Sequence, residues 1–167
     1  PYASQVELLV SIPGIDRLVA WHLLAELGID LTAFPDAAHC CSWAGMVPGE
    51  NESAGKQKSN RCRKGNRTLR RILTQAAWAV SHCKQGYLRD FFHRVKARRG
   101  WAKAIVATGH KILTIAFQVL RTNTSYKELG SDYFDRLNPE RATRKLVQKL
   151  EVLGHQVQLL PALGCDA

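Results

Sequence analysis

The sequence predicts an all-α fold: a compact helical domain opened by a helix-hairpin-helix-like unit, with one long basic loop ahead of the central helices. Three observations carry that prediction. Apolar residues recur at three- and four-residue spacing in successive stretches, glycine or proline stands where several of those stretches stop, and no stretch of weight alternates as a half-buried strand would.

The elements follow in order. Val6, Leu9 and Val10 form one apolar face, Pro13-Gly14 breaks it, and Leu18, Val19, Trp21, His22, Leu23, Leu24 and Leu27 resume it until Gly28 ends the second helix. Residues 5–28 therefore read as two helices joined by a Pro-Gly turn. Such a turn can offer backbone N–H groups to a phosphate. Here Asp16 stands where DNA-binding versions commonly carry a second glycine, and an acid there caps a helix and repels phosphate, which favours a structural or positioning role and leaves direct DNA contact as the alternative. Residues 35–44 read as a short helix opened by Pro35.

Residues 45–66, GMVPGENESAGKQKSNRCRKGN, hold four glycines, one proline and no apolar period. They read as a long loop or a pair of short extended pieces, and loops of that length inside a domain tend to carry function. From Thr68 to Cys83, Leu69, Ile72, Leu73, Ala76, Ala77 and Val80 share one helix face, with Arg67, Arg70, Arg71 and Thr74 off it. Residues 87–98 repeat the pattern, Trp101 to Leu120 is apolar enough to be the central core helix, and residues 140–153 form an amphipathic helix. Residues 1–157 are expected to be one domain, with the loop at 45–66 as its active-site segment and 158–167 as a tail.

Charge is segregated along the 167 residues. The net charge is +10, yet residues 1–55 sum to −6, residues 56–121 to +16, and residues 122–167 balance. A stripe of one sign points to a polyanion, most often nucleic acid. No apolar run approaches the roughly 18 residues of a membrane helix, so no membrane contact and a cytoplasmic, nucleoid-associated location are expected. The five cysteines form no C-x-x-C pair, and His39 beside Cys40-Cys41 lacks a second ligand pair, which favours reduced cysteines over a metal site. The first residue, Pro1, suggests a piece of a longer protein.

Chemistry on DNA phosphodiesters calls for metal-binding carboxylates or a covalent nucleophile. Glu50 and Glu52 are two apart in the loop, and Asp132 and Asp135 sit among matching bases, so no metal ligands are assigned here. Ser53 is a hydroxyl beside the small residues Ala54 and Gly55 and is followed by cations. On residue chemistry alone it reads as polar filler rather than as a nucleophile, because no histidine base stands near it in sequence to activate it.

The succession SIPGI, WAGMVPGENESAGKQKS, RKGNRTLRRILTQAAWA, YLRDFFHRVKARRGWAKAIVATGHKIL and LGSDYFDRLNPER resembles the C-terminal transposase domain of the insertion-sequence one-ten family, with its one-sixteen and nine-oh-two relatives, over residues 5–157. The resemblance implies a DNA recombinase that cuts and rejoins DNA during transposition, its sites chosen through a bridging guide RNA. It implies that the serine of P-x-x-x-x-S-x-G attacks the phosphodiester and holds one DNA end as phosphoserine. The matching residue is Ser53 in Pro48-Gly-Glu-Asn-Glu-Ser53-Ala-Gly55. The family's K/R-x-G-N-x-x-L-R run matches Arg63 to Arg70, which makes Arg63, Lys64, Asn66, Arg67, Arg70 and Arg71 candidate phosphate ligands, with Lys56, Lys58 and Arg61 holding the strand. Relatives often have glycine near residue 60, where this chain has Asn60.

The resemblance further implies an N-terminal RuvC-like domain binding divalent metal, Mg, whose βαβ pattern this sequence lacks. It implies homo-oligomers at full length, no cofactor in this piece, and little cleavage by the piece alone. Two other readings remain open from the residues: a non-catalytic helical nucleic-acid-binding module of a larger protein, and a scaffold whose basic helices meet an acidic protein partner.

Overall fold

Asp16, Asp36, Asn66 and Asn138 each precede a helix, and in each case the side chain accepts a backbone N–H of the first turn. These caps set where the helices begin. The computed structural model describes residues 2–48, 51–53, 56–59, 62 and 64–160, and for 51–53 and 56–59 the backbone only. The element order is α1 (Ala3–Val10), α2 (Arg17–Leu27), α3 (Ala37–Trp43), β1 (Asn51–Ser53), β2 (Lys56–Ser59), α4 (Arg67–Ser81), α5 (Tyr87–Arg99), α6 (Trp101–Thr122), α7 (Tyr133–Leu137) and α8 (Pro139–Val152). The all-α class holds, with one short two-stranded hairpin among the described residues.

The chain divides into two units, Pro1–Ser131 and Asp132–Ala167. In the first, α6 is the central helix. Its Ala104, Ile105, Ile112, Leu113, Ala116 and Phe117 are buried, and it packs against α1, α3, α4 and α5. The amphipathic α4 lays Leu69, Ile72, Leu73, Ala76, Ala77 and Val80 into the same core and also touches α2 and α5. No described helix is long and apolar enough to cross a membrane.

The α1–α2 turn is seated on α4. A Cβ at Gly14, which has φ +86, would lie 2.5 Å from the Ala76 carbonyl oxygen and 2.7 Å from Val80 Cγ2. Ile12 and Ile15 on either side are buried, and Asp16 Oδ1 accepts the Val19 N–H at 2.8 Å. This turn is therefore spent on intramolecular packing, in keeping with the structural role that Asp16 suggests.

Some boundaries differ from those read in the sequence. α3 starts at Ala37, because Asp36 Oδ1 accepts the His39 N–H at 2.8 Å, which leaves Pro35 before the cap. α7 has only five residues, too short for a periodic signal. Within the first unit, the segment after α6 is fastened back onto the ends of α1 and α5. The Tyr126 N–H donates to Ser11 Oγ at 2.9 Å, and Glu128 Oε1 accepts the Tyr87 and Gly130 N–H groups at 2.8 and 3.1 Å. Burial, with the Glu128 charge beside it, pushes the Tyr126 hydroxyl above its usual range.

In the second unit, α8 begins at Pro139 with Asn138 Oδ1 accepting the Arg141 N–H at 3.0 Å, and Leu146, Leu150, Val152 and Leu153 remain exposed.

Candidate nucleic-acid interface

The extended pieces anticipated between 45 and 66 pair as an antiparallel hairpin. Its register sets Ser53 opposite Lys56 and Glu52 opposite Gln57, and an irregularity between Asn51 and Glu52 brings Asn51 opposite Ser59, leaving Lys58 as the extra residue. Pro48 bridges Cys62 toward the base. Ser53 and Lys56 thus close the hairpin's far end, with residues 54 and 55 between them in sequence. Arg63, a candidate phosphate ligand, and Arg61, assigned to hold the strand, lie outside the described residues, as do Ala54, Gly55 and Asn60.

Both ends of this segment are rooted in one place, the C-terminal end of α3. On the outgoing side, the Met46 N–H donates to the Cys41 carbonyl at 3.0 Å and the Met46 side chain is buried. His110 of α6 lies 3.3 Å from the Met46 carbonyl oxygen through Nδ1, which must carry the proton because a carbonyl only accepts. On the returning side, a Cβ at Gly65 would lie 2.4 Å from the Gly45 nitrogen and 2.6 Å from the Ala44 carbonyl carbon and Gly45 Cα, so only glycine permits this backbone-on-backbone approach. The Asn66 N–H donates to the Trp43 carbonyl at 3.2 Å, and α4 starts with the next residue. Arg70 Nη2 closes the junction by donating to the Gly45 carbonyl at 3.0 Å.

The sequence-assigned cations consequently divide by position. Arg67 and Arg71 are exposed on α4, and among the described residues neither has an ion-pair or hydrogen-bond partner. Lys64 is exposed at the hairpin's return. Arg70 is half-buried and tied to the hairpin root. Asn66 spends its side chain internally: Oδ1 accepts the Leu69 N–H at 3.0 Å and Nδ2 donates to Glu26 Oε2. Glu26, which the sequence reading did not single out, is therefore a constituent of the junction. Its role has no local signature, because its partner lies 40 residues away. Arg67, Arg70, Arg71, Thr74 and Gln75 line a shallow open groove of about 350 Å³ along α4.

Among the described residues no three His, Cys, Asp or Glu side chains gather to hold an ion. The divalent metal that the resemblance implies is assigned by it to an N-terminal RuvC-like domain, and the described residues offer no ligand set of their own for it. His39 is engaged with Asp36 at 2.9 Å, and Cys40 and Cys41 are buried free thiols, with Cys41 Sγ 3.6 Å from Thr114 Oγ1. Burial, reinforced by the neighbouring Cys41, pushes the Cys40 thiol up to about 12, and burial raises Cys41 as well.

Comparison with known proteins adds the following. Residues 6–93 match the family described as Transposase IS116/IS110/IS902 family. The chain is 31% identical over 125 residues to the pilin gene-inverting protein of Moraxella bovis, covering 73% of this chain and 38% of that protein. It is 31% identical over 122 residues to the Insertion element IS110 uncharacterized 43.6 kDa protein of Streptomyces coelicolor, covering 72% and 30%. Against the probable family 20 transposase of Pseudomonas aeruginosa it is 26% identical over 128 residues, covering 74% and 38%. The chain thus spans less than two fifths of the length of each of these relatives.

Proposed function

The chain belongs to the Transposase IS116/IS110/IS902 family, and from that premise we propose that it is the serine-bearing, phosphate-holding part of a DNA recombinase acting in transposition. Ser53 is the nucleophile. Its oxygen bonds to phosphorus as a sugar oxygen leaves; the serine proton departs, the leaving oxygen gains one, and one DNA end is held as phosphoserine. Rejoining runs the exchange in reverse: a sugar hydroxyl of the new strand bonds to phosphorus as the serine oxygen leaves. Arg67 and Arg71 hold phosphate oxygens, and Lys56, Lys58, Arg61, Arg63 and Lys64 hold the strand. Arg70 and Asn66 are positioning residues that fix the hairpin root against α4.

One observation supports this reading above the rest. The hairpin whose end carries Ser53 and the helix that presents Arg67 and Arg71 leave from the same junction, locked by Gly65, Asn66 and Arg70 on residues 43–45. A nucleophile and a phosphate clamp need a shared rigid base of that kind. At full length, we propose, a RuvC-like domain supplies the divalent metal, a guide RNA selects the DNA, and the protein works as a homo-oligomer on bacterial DNA in the cytoplasm, leaving this chain alone with little cleavage activity.

The test is a covalent protein–DNA adduct that survives detergent. The full-length protein with its RNA and DNA is expected to form it, and Ser53→Ala to abolish it. An adduct formed equally by Ser53→Ala overturns the nucleophile assignment. Recombination that survives Ser53→Ala but is lost on reversing Lys64, Arg67 and Arg71 favours the non-catalytic binding module.

A further inference from the structure

The exposed face of α4 carries more than its arginines. At 100° per residue, Arg67, Arg71, Trp78 and His82 fall within about 60° of one another around the helix axis. Trp78 is 54% exposed, although it belongs to a helix whose opposite face forms much of the core. Its ring is held rather than loose. The His82 ring packs against it at a tilt, with 4.3 Å between centroids and 46° between planes, and His82 Nδ1 lies 2.9 Å from the Trp78 carbonyl and 3.0 Å from Ser81 Oγ. Because the carbonyl can only accept, Nδ1 carries the proton and the imidazole is pinned as a backstop to the indole. Along the axis Trp78 stands about 16 Å beyond Arg67, a few nucleotides' reach even at the stacked spacing of about 3.4 Å per strand. The groove lined by Arg67, Arg70, Arg71, Thr74 and Gln75 fills the interval.

We propose that Trp78, braced by His82, is a stacking platform for an unpaired nucleobase of the strand whose phosphates lie along Arg67 and Arg71. Aromatic faces aligned with a cationic groove suit single-stranded nucleic acid, because every base has a π-face and every linkage a charge. A duplex cannot use the platform, since its bases are already stacked on one another. The platform rests on the reading that the α4 arginines hold a nucleic-acid backbone, and it adds that the strand continues past the clamp in unpaired form. The shared chemistry is an unpaired base, and it can come from an opened DNA end or from a guide RNA.

The experiment measures binding of the full-length protein to four labelled 12-mers: oligo-dT, oligo-U, an abasic DNA strand and a blunt DNA duplex. Trp78→Ala is expected to weaken oligo-dT or oligo-U about tenfold and to leave the abasic strand and the duplex unchanged, while Trp78→Phe retains most of the affinity. Loss confined to oligo-dT assigns the base to DNA, and loss confined to oligo-U assigns it to RNA. Arg71→Gln is expected to weaken all four probes, and Trp101→Ala, an equally exposed indole off this stripe, none. Unaltered oligo-dT and oligo-U binding by Trp78→Ala, alongside weakened binding by Arg71→Gln, overturns the platform and spares the clamp; that pattern fits a protein partner for the indole. Unaltered binding by both Arg67→Gln and Arg71→Gln overturns the clamp itself. Thermal melts of Trp78→Ala and Trp78→Phe matching the wild type separate lost stacking from lost folding.

Discussion

Asn66 of the hairpin root and Glu26 of α2 are joined by a hydrogen bond, Nδ2 donating to Oε2, while Asn66 Oδ1 caps α4 through the Leu69 N–H at 3.0 Å. One amide thus serves two elements with its two different ends. Asn66→Ala is expected to cost about 1 kcal/mol in urea unfolding through the lost cap alone. Asn66→Asp keeps a capping oxygen but sets a carboxylate against Glu26, and is also expected to destabilise. Adding Glu26→Gln to Asn66→Asp restores a donor opposite that acid and should recover most of the loss; if the double variant is no better than Asn66→Asp, the pairing has no energetic weight.

Gly65→Ala places a methyl group 2.4 Å from the Gly45 backbone nitrogen, and backbone cannot swing aside as a side chain can. The expected loss is about 2–3 kcal/mol. Recombination should fall with it, because the change pries the hairpin from the helix bearing Arg67 and Arg71. Chemical denaturation and the detergent-stable adduct assay read the two effects separately.

Thr108 of α6 is wholly buried, and its hydroxyl has no hydrogen-bond partner among the described residues. An unmade hydrogen bond in the core is a cost to folding. Thr108→Val removes the orphaned hydroxyl with little change of shape, and is expected to raise stability by about 1 kcal/mol, or about 2–4 °C in Tm by calorimetry. A lower Tm would mean the hydroxyl is partnered in solution.

The cysteines should separate by burial. With iodoacetamide at pH 8 followed by peptide mapping, Cys62 and Cys83, both half-buried, are expected to be labelled well before Cys40 and Cys41, which should react only once the chain is unfolded. The sign of the pH effect follows from the same burial. The Cys40 thiol ionises near 9.0 when unfolded and at about 12 when folded, so its contribution to stability is complete below pH 9 and is lost as pH climbs toward 12. Urea midpoints measured across that window should decline, and Cys40→Ala should flatten part of the decline.

How far the fold could be read in advance depended on the range of the forces involved. α4 and α6 were legible because their apolar residues repeat at the helical period, and the core needs only that pattern to form. The hairpin was legible only as one of two options, because residues 51–59 hold no apolar side chain larger than that of Ala54 and a backbone ladder leaves no apolar alternation to detect. The charge pattern pointed to Arg67 and Arg71 but could not separate them from Arg70. What separates them is a carbonyl 25 residues upstream at Gly45. Glu26 opposite Asn66, Gly14 against Ala76 and Glu128 under Tyr87 escaped for the same reason: each contact joins residues far apart in the chain, and no composition marks such a meeting.

The fastening of residues 126–130 also has a mechanical side. Tyr126 is hooked to Ser11 and Glu128 to the first turn of α5, so the chain leaving α6 is held against both before it reaches Ser131. Ser11 sits just before the turn that carries Gly14, and Gly14 is wedged against α4. The anchors of this segment therefore lead to the α1–α2 turn and to α5, and both of these pack against α4.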